Sequence, residues 1–168
     1  MSFLFRKRLL FAAQNVQIMH PCLYFGGGDP YTLTMLKLGI IRETKNPPDR
    51  RVPLTPAQCR FLLESHPELD IVVQPSPIRC FEDGEYTAEG IPLREDLSDR
   101  DVLMGVKEVK TDALLPDKTY FFFSHTAKEQ PYNRGLLQEV IKKRIRLVDY
   151  EYLTRDGVRV VAFGRWAG

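Results

Sequence analysis

Two short stretches of this 168-residue chain set ionisable side chains directly after an apolar run. Lys107 and Glu108 follow Asp101–Val106, and His125 and Lys128 follow Thr119–Ser124. Each run is the length of one buried strand. In an open parallel sheet, ligands gather just beyond the carboxyl ends of the strands. Two neighbouring strands would deliver a Lys–Glu pair and a His–Lys pair to one rim. A lysine beside a second cation in a partly dry cleft accepts protons near neutral pH, and histidine is the matching acid. Charges after a strand also occur wherever a chain reaches water. Two such ends in succession, flanked by arginine-bearing loops, favour a site.

The length suits one domain with a real core. A hydrophobic share of 43% and a charged share of 27% are ordinary for a soluble globular domain. No apolar run approaches the ~20 residues that span a bilayer, so no membrane partner is expected. Residues 1–34 carry Arg6, Lys7 and Arg8 against Asp29 alone, and acids balance bases in the rest. A balanced domain argues against nucleic acid, which needs a basic face. Cys22, Cys59 and Cys80 show no C-x-x-C or zinc-finger spacing, which points to a reducing, cytoplasmic compartment and no metal.

The elements that would position the ionisable groups alternate. Strands are expected at Leu36–Arg42, Asp70–Gln74, Val102–Val106, Thr119–Ser124, Ile145–Tyr150 and Arg159–Phe163, with an edge strand at Ile91–Leu93. Thr55 and Pro56 read as an N-cap and first turn opening a helix to Ser65. Asp83–Ala88 reads as a short helix stopped by Gly90, and Asp112–Leu115 as a turn. Pro131–Arg144 reads as a full helix with Leu136, Leu137, Val140 and Ile141 on one side and cations at its C-terminal end. This rhythm predicts an α/β domain with a mainly parallel sheet and helices on both faces. Met1–Thr34 is expected to be an upstream extension, and 35–168 the domain.

Arginines supply the remaining chemistry. A guanidinium grips a carboxylate with two parallel hydrogen bonds. Arg51, bracketed by Val52, Pro53 and Leu54, is expected to point inward from the loop after the first strand. Arg159, at the head of an apolar strand, needs a partner, either a bound carboxylate or Glu151. Glu151 ends a strand and is placed to tune a neighbouring cation. No glycine-rich dinucleotide fingerprint and no phosphate loop occurs.

These residues carry a family resemblance. Gly105-Val-Lys-Glu, Phe123-Ser-His-Thr-Ala-Lys, Leu147-Val-Asp-Tyr-Glu and Val158-Arg-Val-Val-Ala-Phe-Gly-Arg-Trp-Ala-Gly resemble the lysine-forming saccharopine dehydrogenases. They equally resemble the lysine–2-oxoglutarate reductase portion of aminoadipic semialdehyde synthase. Arg42-Glu-Thr-Lys and Arg51-Val-Pro-Leu-Thr-Pro are similar to a wider group that adds alanine dehydrogenase and the N-terminal part of nicotinamide nucleotide transhydrogenase.

The resemblance, over Met35–Gly168, implies the substrate half of a two-domain oxidoreductase joining lysine and 2-oxoglutarate into saccharopine, or the reverse, with NAD or NADP. It implies Lys107 and His125 as base and acid, Glu108 and Glu151 as modulators of their pKa values, and Arg51, Lys128, Arg159 and Phe163 as substrate ligands. The family's nucleotide sits mainly in a Rossmann-type domain expected beyond Gly168, so turnover by this chain alone is not expected. The other readings are an alanine dehydrogenase-like domain and a non-catalytic or truncated product.

Overall fold

A computed structural model of the chain describes residues 35–161. The expectations for Met1–Thr34 and for 162–168 lie outside them. Five strands, β1 (Leu36–Ile40), β2 (Leu69–Val73), β3 (Val102–Met104), β4 (Thr119–Phe122) and β5 (Arg146–Asp149), form one parallel sheet in the order β2-β1-β3-β4-β5. The fold class is as expected: an α/β domain with helices on both faces of the sheet.

Alternation along the strands sorts side chains to the two faces. Leu38, Ile40, Ile71 and Val73 bury one face beneath α1 (Pro56–Ser65) and α2 (Asp83–Ala88), with Cys59 and Tyr86 in the same cluster. Leu103, Tyr120 and Phe122 bury the other beneath α3 (Arg134–Lys142), through Leu136 and Val140. Burial pushes the Cys59 thiol up to about 12, which fits a packing role and not a nucleophile.

Helix α1 begins where the sequence requires. Thr55 Oγ1 accepts from the Gln58 amide at 3.3 Å and Gln58 Oε1 accepts from the Thr55 amide at 2.9 Å, a reciprocal cap worth about 1 kcal/mol.

Four expectations are corrected. The helix drawn from Pro131 starts only at Arg134, after a 3-10 turn over Pro131–Asn133, because the Asn133 side chain donates to the His125 carbonyl at 3.0 Å. Leu137 and Ile141 do not share the buried side with Leu136 and Val140; Ile141 is 68% exposed, as a position about 100° further round a helix must be. Ile91–Leu93 gives a single bridge, Val73 to Leu93, not a strand. The strand expected from Arg159 is instead the second half of a small antiparallel hairpin, β6 (Thr154–Arg155) and β7 (Val158–Arg159), turning at Asp156 and Gly157.

The cations at the end of α3 do more than complement its dipole. Lys143 donates to the carbonyls of Thr111 and Leu114 at 2.9 and 2.8 Å, and Arg144 grips Asp117 with two 2.7 Å bonds. Among the described residues no helix is long and apolar enough to cross a membrane.

Where β1 passes under the second cluster, Gly39 leaves no room for a side chain. An added Cβ would lie 2.9 Å from Leu103 Cδ2 and 3.1 Å from Leu97 Cδ1 and Arg100 Cγ. The expected result for Gly39→Ala is a loss of about 1–3 kcal/mol, read as a lower urea midpoint at unchanged slope. A midpoint equal to that of the parent would show that the packing here is looser than described.

Candidate functional site

Strands β1, β3, β4 and β5 run in one direction, so their carboxyl ends share a rim. Backbone pairing of β3 with β4 outlasts the strands themselves. The Gly105 amide donates to the Phe121 carbonyl at 2.9 Å, and the Phe123 amide to the Val106 carbonyl at 3.0 Å. The second bond steps one residue off the Met104–Phe121 register, and Lys107 and His125 follow it on the two neighbouring chain segments. The two strand ends singled out in the sequence therefore leave the sheet side by side.

His125 sits in the left-handed region, φ 54°, an uncommon conformation for a residue with a side chain. Its ring stacks on Phe123, centroids 6.4 Å apart. Its Nδ1 lies 3.2 Å from Glu151 Oε2 and 3.3 Å from Lys128 Nζ. The carboxylate only accepts and the ammonium only donates, so the two compete for Nδ1. The Glu151 contact is the shorter, and Lys128 already bonds Glu151 Oε1, which favours the proton on Nδ1 and leaves Nε2 as the exchanging nitrogen. Glu151 is largely covered and also holds Lys128 at 3.0 Å through Oε1. The Lys128 bond first, then His125, hold the Glu151 carboxyl below its ordinary value. Arg159 approaches the same oxygen at 3.8 Å.

Asp149 supports this cluster from beneath. Its Oδ2 accepts from the amides of Ser124 and His125, both at 3.1 Å, and from Ser124 Oγ at 2.6 Å. Its Oδ1 accepts from the Glu151 amide at 2.8 Å. Glu151 lies not on the strand, as expected, but in a 3-10 turn over Tyr150–Tyr152 just past β5.

The Lys107 side is built in the same manner by Glu43, which follows β1. Glu43 is only 9% exposed and accepts from the amides of Val106 and Lys107 at 2.6 and 3.0 Å. Burial pushes its carboxyl up against the pull of those two bonds. The close approach needs Gly105, where a Cβ would meet Ile41 Cδ1 at 2.8 Å and Glu43 Oε1 at 3.3 Å. Glu108 accepts from Lys45 Nζ at 2.6 Å. Burial raises its pKa, but the Lys45 bond and the nearby charges of Lys45 and His125 outweigh that and hold it low. Among the described residues the Lys107 ammonium makes no hydrogen bond or ion pair; its field reaches Asp49. A cleft of about 240 Å³ is lined by Lys107 and Glu108 together with Ile41, Leu103, Val109 and Leu115.

Lys107, Glu108, His125, Lys128, Glu151 and Arg159 thus stand on one rim or on the hairpin just beyond it. Arg51 departs from its expected pose: its side chain is 60% exposed and grips Asp49 through Nε and Nη2. Its field still reaches Glu43, but it must exchange Asp49 to take another carboxylate. Phe163 lies outside the described residues. Glu43, Lys45 and Asp149 escaped the sequence reading as site residues. Their only signal was their place just after β1 and at the end of β5. No cluster of metal-ligating side chains occurs among the described residues.

The Asp49–Arg51 pair gives the rim loop a definite acid response. The Arg51 bond draws the Asp49 carboxyl from 3.8 down to about 2. A depressed acid contributes stability that is complete above its unfolded value and is lost as pH falls through the folded one. Asp49→Asn is therefore expected to be less stable than the parent at about pH 6, with the difference closing between about pH 4 and 2. Urea unfolding across that range checks this, and a gap that does not depend on pH would contradict it.

Known proteins resemble this chain in sequence and in fold. The family described as the alanine dehydrogenase/PNT N-terminal domain matches residues 39–168. An alpha-aminoadipic semialdehyde synthase of Bos taurus is 43% identical over 132 residues, covering 78% of this chain and 14% of that protein. A saccharopine dehydrogenase (NAD(+), L-lysine-forming) of Emericella nidulans is 34% identical over 139 residues, covering 79% of this chain and 36% of its own length. The chain thus spans only a minor part of these relatives. Among solved structures, an L-alanine dehydrogenase superposes with a TM-score of 0.62 at 22% identity, over 74% of this chain and 35% of that one. At that identity the likeness concerns the fold. The match over residues 39–168 makes this chain a member of the alanine dehydrogenase/PNT N-terminal domain family.

Proposed function

We propose that residues 35–168 form the substrate-binding and acid–base domain of an oxidoreductase of the lysine-forming saccharopine dehydrogenase type, interconverting lysine plus 2-oxoglutarate with saccharopine. The observation that carries this reading is the arrangement after β3 and β4, where a lysine without an ion-pair partner among the described residues leaves the sheet beside the strand that ends in a histidine held by Glu151. The names of the relatives support the substrate class.

Joining an amine to a ketone requires several proton transfers, two of which the site serves. The ammonium of the substrate lysine must lose a proton before its nitrogen attacks the keto carbon, and Lys107 takes that role. A second proton then passes from the nitrogen to the new alkoxide, and the hydroxyl so formed leaves as water, giving the iminium, with a proton that His125 supplies from Nε2. Glu151 stabilises the imidazolium through Nδ1, and Glu108 sets the local charge beside Lys107. Saccharopine carries three carboxylates, and Arg51, Lys128, Arg159 and Phe163 hold it. A charge-assisted bond from each cation contributes about 1.5–3 kcal/mol.

A nicotinamide, NAD or NADP, supplies the hydride in this chemistry. The described residues do not fit its nucleotide. The turn after β1 carries Pro47, Pro48, Arg50 and Arg51 in place of glycines, and α1 opens with Pro56, which has no amide hydrogen to offer a phosphate. The nucleotide is therefore assigned to residues other than these.

Titration calorimetry tests the substrate assignment with the chain as it stands. Saccharopine is expected to bind, and Lys128→Met to weaken it about tenfold or more, the equivalent of one lost charge-assisted bond. Pyruvate or L-alanine binding in place of saccharopine would overturn the reading in favour of an alanine dehydrogenase-like site.

A further inference from the structure

His125 and Glu151 come from different segments. Lys128 touches both side chains, while the backbones of both are held by Asp149. One of its oxygens takes the amides of Ser124 and His125 together with the Ser124 hydroxyl, and the other takes the Glu151 amide. The left-handed backbone of His125 is held from its far side as well, by the Asn133 amide on its carbonyl. Ser124 is fully buried, so its hydroxyl has no water to fall back on. It is instead bound by Asp149 and by Thr126 Oγ1 at 2.8 Å.

We infer that Asp149 is a positioning residue, the group that holds the backbones of His125 and Glu151 in register and thereby selects the Nδ1-protonated tautomer. Its use in proton transfer rests on the function proposed above; its effect on the pair does not. An ionised carboxylate is needed because both oxygens accept and neither donates. Asparagine has the same shape but one acceptor. It keeps either the Ser124–His125 side or the Glu151 side and turns an NH2 group against donors on the other.

The groups facing the His125 ring are Glu151 and Lys128, with the charge of Glu108 within reach and Arg159 against Glu151. None of these replaces the two-sided acceptance of Asp149.

The test is nitrogen-15 NMR of the His125 imidazole in the full chain, at a pH where the ring is neutral. The parent is expected to show the Nδ1-protonated pattern. Asp149→Asn, still folded by circular dichroism, is expected to move toward the tautomer mixture of free histidine and to bind saccharopine about tenfold more weakly, as misplacement of a site group does. Tyr86→Phe removes the hydroxyl that bonds the Leu54 carbonyl in the cluster on the other face. It is the control for plain destabilisation and is expected to leave the imidazole signals in place.

Unchanged imidazole signals in folded Asp149→Asn would overturn the inference, as would an equal change in Tyr86→Phe. Should Asp149→Asn fail to fold, Ser124→Ala removes one of the four bonds to the same carboxylate and is expected to give a smaller shift in the same direction. No shift would again overturn the inference. If the parent ignores saccharopine while Asp149→Asn still alters the imidazole, the functional proposal fails and the positioning role stands.

Discussion

A parallel strand that stops leaves amide groups with no ladder partner, and a buried amide without a partner costs about 1–3 kcal/mol. In this chain two carboxylates take those amides at the rim. Glu43 closes the end of β3 at Val106 and Lys107, and Asp149 closes the end of β4 at Ser124 and His125. The constraint is one of position as well as energy. A carboxylate bound to two successive amides fixes the direction in which the next side chain leaves the sheet, so satisfying the backbone and aiming the ionisable groups are one act.

A second pair of carboxylates repeats on the outer side of the same rim. Glu108 is bound by Lys45 and Glu151 by Lys128, and both are held in the ionised range by those partners. Each proposed proton carrier thus has a charged acid beside it whose own proton is kept away. Glu43 differs, since burial makes its ionised form costly and only the two amides oppose that. Two environments for one residue type, set by burial and by partner, divide structural from electrostatic roles. Behind His125, Phe123 and Tyr150 pack at 5.1 Å, which leaves the ring of the histidine backed by apolar surface.

Local signals were the legible part of the sequence. Thr55–Pro56 and Asp83–Ala88 announce their helices within a few residues, and both stand where expected. The alternation of strands and helices gives the parallel class, and the ionisable groups after two apolar runs give the rim. What escaped depends on groups remote along the chain. Glu43 looks like an ordinary loop acid until Val106, 63 residues on, brings its amide. Asp149 matters because Ser124, 25 residues earlier, lies beside it. The late start of α3 has the same origin, since Asn133 is spent on the His125 carbonyl. The apolar neighbours of Arg51 point it inward, yet Asp49 two residues away offers a nearer partner. The hairpin at Thr154–Arg159 carries a turn signal in Asp156-Gly157, but its strands of two residues each are too short to show as runs.

The central claim is that Lys107 and His125 move protons for the same carbon–nitrogen condensation. Chemical trapping isolates that step: cyanoborohydride reduces the imine of lysine and 2-oxoglutarate to saccharopine without any nicotinamide. The chain is expected to accelerate formation of trapped saccharopine over buffer, and Lys107→Met and His125→Gln each to lose about 100-fold of that acceleration while keeping the parent's circular dichroism. Equal trapping rates for the parent and both folded variants would contradict the account.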